Sequence, residues 1–278
     1  CGTSSVTADA MKLEKTEGTA HVTDQNDKEQ SILEKMNLYD GYQVGTETES
    51  YAWIDLDAVK LLEMNEESLV HLEKENRHLK VQLDQGDLFF CITEKMQDDE
   101  SLEFTVPNQT NMSMSVRGTT GILKCHTEKA VSIILIEGEV EGKTYDETFT
   151  LHTGEVAEIH MDANGKSIIR IRELAWGGDV PDYVIDEIDN NQTVKEKIEQ
   201  SGGRTDYLNL EEKRQFLYRA DGEWEMTGGD YRYYEFYLGT YFQFPYHKID
   251  IANMVFAYDD SPDFLYRAID PNTGREIS

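Results

Sequence analysis

Apolar and polar residues alternate with a period of two along most of the first 174 positions. Ala52, Ile54 and Leu56 make one such run, Leu79, Val81 and Leu83 a second, and Leu88, Phe90 and Ile92 a third. Alternate side chains of a strand share a face, so each run predicts a half-buried β-strand. Gly, Asn and Asp interrupt the runs at intervals of about ten residues, and Asp40-Gly41, Gln85-Gly86 and Asn164-Gly165 read as turns. Many short strands with regular turn signals predict a mainly β chain. Its first domain is expected to be all-β, either sandwich-like or a short solenoid, over residues 9–174, behind a polar tether at 1–8.

The texture changes at Trp176-Gly177-Gly178. Pro181 suits the first turn of a helix, and Val184 and Ile188 then fall one turn apart. Thr193-Val194-Lys195-Glu196 has the form of a capping box, with Val194 and Ile198 on one face and Gly202-Gly203 as a stop. Two short helices are therefore expected within a linker spanning 175–205.

Residues 206–278 predict a smaller aromatic-rich region, antiparallel β or α+β. Two aromatic runs, YRYYEFYL and YFQFPYHK, flank Gly239-Thr240, which reads as a hairpin with a type II′ turn. One face of that hairpin carries Tyr231, Tyr233 and Tyr237. Aromatic rows of this kind are core material or platforms for sugar rings, and with Trp224 they are the candidate glycan-binding residues.

Charge narrows the partners. Lys and Arg total 26 against 55 Asp and Glu, for a net charge of −29. No basic tract exists to neutralise phosphates, which disfavours nucleic acid and charge-driven attachment to anionic lipid. No apolar run reaches the length needed to cross a bilayer as a helix.

Three cysteines stand at positions 1, 91 and 125, without the Cys/His spacing of a zinc site. The opening Cys-Gly-Thr-Ser-Ser resembles a mature bacterial lipoprotein, in which the first cysteine carries lipid. On that reading Cys1 is the attachment site, the protein is exported, and its membrane contact is through the lipid. A disulfide between Cys91 and Cys125 is allowed in such a compartment but nothing in the spacing argues for it.

Most catalytic motifs fail on inspection. Gly142-Lys143-Thr144 resembles the end of a phosphate loop, but Gly138 stands one residue too close. The seven histidines show no HExxH, and Asp162-Ala163-Asn164-Gly165 departs from a calcium loop and reads as a tight turn. No G-x-S-x-G occurs. The expectation is a protein without catalytic residues, metal or cofactor.

One set of segments is informative. GDLFFCITE at 86–94, FTVP at 104–107, Val116-Arg117-Gly118-Thr119, Glu137-Gly138-Glu139-Val140 and Gly154-Glu155 resemble, in order and spacing, the extracytoplasmic domain of the FecR family. Glu17-Gly18-Thr19-Ala20 and the stretch from Gly41 to Ile54 fit the opening strands of the same domain, so the resemblance covers about residues 11–174. It implies an all-β, non-catalytic domain and a role as protein-interaction or sensory scaffold in envelope signalling or assembly. The implied partner is an envelope or surface protein, with a glycan as the alternative. Within the motif, Gly118 is expected to permit a sharp turn. Arg117 is expected either to tie that turn to carbonyls or a carboxylate, or to bind a partner directly.

Overall fold

The computed structural model describes residues 11–174 and 179–200, together with five short strands between 223 and 277. In chain order the first seventeen strands are β1 (Met11–Glu17), β2 (Ala20–Thr23), β3 (Glu29–Gln30), β4 (Met36–Leu38), β5 (Tyr42–Thr46), β6 (Tyr51–Asp55), β7 (Lys60–Met64), β8 (Leu69–Glu75), β9 (His78–Ile92), β10 (Ser101–Val106), β11 (Met112–Val116), β12 (Thr120–Thr127), β13 (Ala130–Glu137), β14 (Glu139–Lys143), β15 (Thr148–His152), β16 (Glu155–Met161) and β17 (Ser167–Glu173).

Their pairings resolve into two layers. The first runs β4-β1-β6-β7-β9-β12-β13-β16-β17, all antiparallel. The second runs β3-β2-β5-β8-β9-β10-β11-β14-β15, antiparallel except for the β9–β10 pair. Strand β9 belongs to both: His78–Gln85 pairs with β8 in the second layer, and Gly86–Ile92 pairs with β12 and β7 in the first.

The predicted turn at Gln85-Gly86 is thus a corner inside one continuous strand. Gly86 has φ +92°, and the ladder with β8 slips between Leu69 and Val70, as a bulge would require. An extended glycine corner lets the strand change sheets without losing its hydrogen-bond partners on either side, which sequence alone does not distinguish from a reversal.

The inner faces of both layers form one apolar cluster. All three alternating runs read from the sequence belong to it: Ala52, Ile54 and Leu56, Leu79, Val81 and Leu83, and Leu88, Phe90 and Ile92 are buried. Phe90 of β9 in the first layer and Phe104 of β10 in the second pack with ring centroids 4.7 Å apart. Around the centre of the first layer the outer face is buried too. Phe89, Cys91, Ile122 and Ile134 lie off the inner face and are still almost fully covered.

Beyond the strands, α1 (Asp182–Asn190) follows Pro181 and buries Val184, Ile185 and Ile188. Helix α2 (Gln192–Gln200) buries Val194 and Ile198, on the face expected from their spacing. The chain divides into two compact units, Cys1–Leu174 with Thr193–Arg204, and Ala175–Gln192 with Thr205–Ser278. The segment expected as a linker is therefore shared: α2 groups with the β domain, where Lys197 reaches Glu137 and the Gly118 carbonyl.

In the second unit, β18 (Glu223–Glu225), β19 (Lys248–Asp250) and β20 (Val255–Ala257) pair antiparallel, as do β21 (Ala268–Ile269) and β22 (Glu276–Ile277). Trp224 lies in β18, opposite Ile249. The predicted tyrosine hairpin with Tyr231, Tyr233 and Tyr237, the tether at 1–8 with Cys1, and Gly202-Gly203 lie outside the described residues.

Candidate interaction site

Chain crossings between the two layers gather at two ends of the β domain. At one end Gly18, Ser50, Ser68 and Gly86 carry the chain from layer to layer. Ser68 is buried there: its hydroxyl donates to the Asp87 carbonyl at 3.1 Å and accepts from the Asp87 N–H at 3.0 Å. A Cβ on Gly86 would stand 2.1 Å from Ser68 Oγ and 2.5 Å from Ser68 Cα, so glycine is required by space as well as by φ.

The other end holds the segments singled out in the sequence. β11 passes to β12 through Arg117-Gly118-Thr119, β13 to β14 through Gly138, and β15 to β16 through Thr153-Gly154. Gly118, Gly138 and Gly154 have φ of +79°, +103° and +78°. The crossings hold one another. Gly138 N–H donates to Thr153 Oγ1 at 2.9 Å, Gly154 N–H to the Leu135 carbonyl at 2.9 Å, and Ile92 N–H to the Thr119 carbonyl at 3.0 Å.

Each motif residue has a distinct place. Val116 is buried in the core cluster. Thr119 is buried with its methyl toward Gly138, where an added Cβ would meet Thr119 Cγ2 at 2.4 Å; its hydroxyl finds no hydrogen-bond partner among the described residues. Gly118 makes the turn, as expected. Arg117 does not lock it: the residue is exposed, and among the described residues it forms no hydrogen bond or ion pair. At the tip of a crossing its guanidinium faces water, while the Gly118, Thr119 and Gly138 carbonyls accept from Lys197 Nζ, the Ile92 N–H and Thr153 Oγ1.

Sequence reasoning missed Lys197. Its Nζ lies 3.3 Å from Glu137 Oε1 and 3.3 Å from the Gly118 carbonyl, fixing α2 against two motif segments. Thr120 Oγ1 sits 3.4 Å from Glu137 Oε2 and 3.4 Å from Cys91 Sγ, so a chain of polar contacts runs from Lys197 through Glu137 and Thr120 to Cys91. No spacing rule points from residue 197 to residue 137.

Cys91 and Cys125 are buried thiols, and the two are not joined in a disulfide. Thr120 pairs with Cys91 and Gly86 with Cys125, which puts the two thiols at opposite ends of the β9–β12 ladder. Burial, with Glu128 and Asp84 nearby, pushes the Cys125 thiol up to about 11.

The outer face of the second layer is polar. A cleft of about 490 Å³ there is lined by His21, Thr23, Gln43, Glu47, Glu67 and Gln85 among others. His21 Nε2 lies 2.8 Å from Glu47 and Nδ1 3.3 Å from Glu29, and these carboxylates raise its pKa above the ordinary value. A second groove, of about 610 Å³, runs over Glu103, Ser113, Glu141, Lys143 and Thr150. Among the described residues no group of His, Cys, Asp and Glu could hold a metal ion, and no helix is long and apolar enough to cross a membrane.

The crossings that meet around Gly118 are the segments on which the family resemblance rests, and the comparison with family models matches the FecR protein family over residues 42–141. Residues 42–141 are a FecR domain. The match runs from the start of β5 into β14, inside the wider stretch expected from the sequence. The match supports a signalling or regulatory role and is consistent with a non-enzymatic one.

Among solved structures the chain is similar to two crystal structures of a candidate anti-sigma factor from Parabacteroides distasonis, each with 13% identity and a TM-score of 0.41. The alignments cover 49% of this chain and 64% or 65% of those chains, so the chain spans less than two thirds of their length. None of the curated proteins matches.

Proposed function

We propose that the protein is a non-catalytic regulator of envelope signalling whose FecR domain is an interaction or sensory scaffold, with Arg117 as a contact for a protein partner. One observation supports the placement above the others. The arginine at the centre of the family motif is exposed and holds nothing among the described residues. An exposed guanidinium adds little to folding, yet its planar fork of donors suits a carboxylate on another protein. A lipid on Cys1 would keep this surface at the envelope.

A photo-crosslinking residue at position 95 tests the reading in intact host cells. Lys95 Cα stands 3.8 Å from where a Cβ on Gly118 would be, so a probe there borders the turn. One discrete envelope protein should be captured, and Arg117→Glu should abolish the capture without changing the melt. Capture indifferent to Arg117, or recovery of wall polysaccharide alone, would overturn the proposal.

A further inference from the structure

Each layer ends in two edge strands, and three of the four are short. β3 and β4 have two and three residues. β15 has five, and its His152 N–H is bonded to the Glu155 carboxylate at 2.8 Å. β17 differs. It has seven residues without proline, keeps an unbroken antiparallel register with β16 from Ser167 to Glu173, and pairs with no second strand among the described residues. A long, regular, unpaired edge offers its backbone groups to another strand, which proteins avoid by shortening, bulging or covering it. The direction of those groups follows from two bonds. Ser167 N–H is bonded to the Asp146 carboxylate at 3.2 and 3.3 Å, off the β16 side, whereas Leu174 N–H turns back to the Gly154 carbonyl at 2.8 Å. Donors alternate along an antiparallel strand, so the N–H groups of Ile169, Ile171 and Glu173 face outward as that of Ser167 does. Asp146 blocks the start of the edge and leaves the rest open.

The side chains along this edge suit one kind of occupant. Ile171 lies on the inner face, opposite the core residue Ala157, and Ile168 on the outer face, yet each is 42% exposed. Lys166, Arg170 and Arg172 fall within a stretch, 166–172, that holds no Asp or Glu, in a chain of net charge −29. Arg170 has a side chain 72% exposed and approaches Glu158 only to 3.8 Å. At physiological salt the Debye length is about 8 Å, so these local cations outweigh the distant net charge for a ligand on the edge. A second copy fits poorly: registers that set Ile171 against Ile169 or Ile171 of the other chain put Arg170 against Arg170 or Arg172, and like charges directly opposite are destabilising.

We infer that the edge of β17 is a docking site for an extended segment of another protein, acidic on the face that meets Arg170 and apolar on the face that meets Ile171, which joins the first layer as a further strand. Main-chain bonds to Ile169, Ile171 and Glu173 give affinity, and Arg170 with the two exposed isoleucines gives selectivity. This surface is separate from the contact at Arg117 and does not rest on it.

Fluorescence anisotropy of the full chain with a labelled peptide alternating valine and glutamate tests this, beside a valine–lysine peptide of equal length. The acidic peptide should bind at least about tenfold more tightly. Arg170→Glu, a surface change, should weaken its binding by at least about tenfold. Ile171→Pro removes an outward N–H at an edge position, where proline is tolerated, and should weaken it at least as much. Residue-resolved hydrogen exchange should show the Ile169, Ile171 and Glu173 amides open in the free chain and slowed by the peptide. Protection of those amides in the free chain would mean that the edge is already taken, by the rest of this chain or by a second copy, and would end the proposal. No binding of the acidic peptide, equal binding of both peptides, or binding indifferent to the two substitutions would end it too. If Ile171→Pro fails to fold, Arg170→Glu and the exchange data decide.

Discussion

Replacing Gly86 by alanine tests the claim that β9 turns a corner through a site closed to any side chain. Two costs add. A φ of +92° disfavours an L-residue by roughly 1–2 kcal/mol. The new methyl would also stand 2.5 Å from Ser68 Cα, so the β7–β8 crossing must retreat and Ser68 must give up its bonds to Asp87. Leaving those buried groups unpaired costs roughly 1–3 kcal/mol. The total is roughly 2–5 kcal/mol, or roughly 5–20 °C in melting temperature for a domain of this size.

Gly154→Ala is the matched control, because its φ is +78° and nothing lies within 4 Å of the added Cβ. Only the conformational cost remains, and the expected loss is roughly 2–8 °C. Thermal and urea unfolding of both variants, followed by far-ultraviolet circular dichroism, give the two numbers. Equal losses in the two variants would refute the close packing of the Gly86 corner.

Other outcomes follow from the same geometry. Arg117→Ala should change stability by no more than about 0.5 kcal/mol by urea unfolding, since the side chain has no partner among the described residues to lose. Thr119→Val should leave stability unchanged or raise it by about 1 kcal/mol, because the methyl against Gly138 is kept and a buried, unpaired hydroxyl is removed. Cys91 and Cys125 should resist a thiol reagent at pH 8 in the native protein and both react in urea, as expected for buried thiols, one with its pKa near 11. His21 should titrate above its ordinary 6.5 by NMR, and Glu47→Gln should bring it down. Since its folded pKa is raised, the stabilisation it gives is present below the unfolded value and is lost as pH rises through the folded one.

Much of the β domain was legible because burial on one face leaves a period-two trace. Ala52, Ile54 and Leu56 show it plainly, and the corner glycines at 118, 138 and 154 stand where the alternation breaks. Where both faces are covered the trace vanishes: Phe89 and Cys91 interrupt the pattern of Leu88, Phe90 and Ile92 because the outer side of that layer is buried as well. The passage of β9 through Gly86 was hidden for another reason, since a glycine that reverses a chain and one that bends it carry the same local signal. Arg117 stood out in the sequence, but whether a guanidinium faces inward or outward depends on neighbours about twenty and eighty positions away, such as Gly138 and Lys197. The docking of α2 lay in that long-range category too.

The shared strand also sets how the domain could be divided. Residues before Gly86 supply β4-β1-β6-β7 to one layer and β3-β2-β5-β8 with the first half of β9 to the other; residues after it supply everything else. The two portions therefore meet along a single seam, the β7–β9 and β9–β10 ladders, with no strand of either portion inserted into the other. A chain cut at the Gly86 corner would yield two fragments with complementary open edges, each templating the other, which makes this position a natural split point for reconstitution on association.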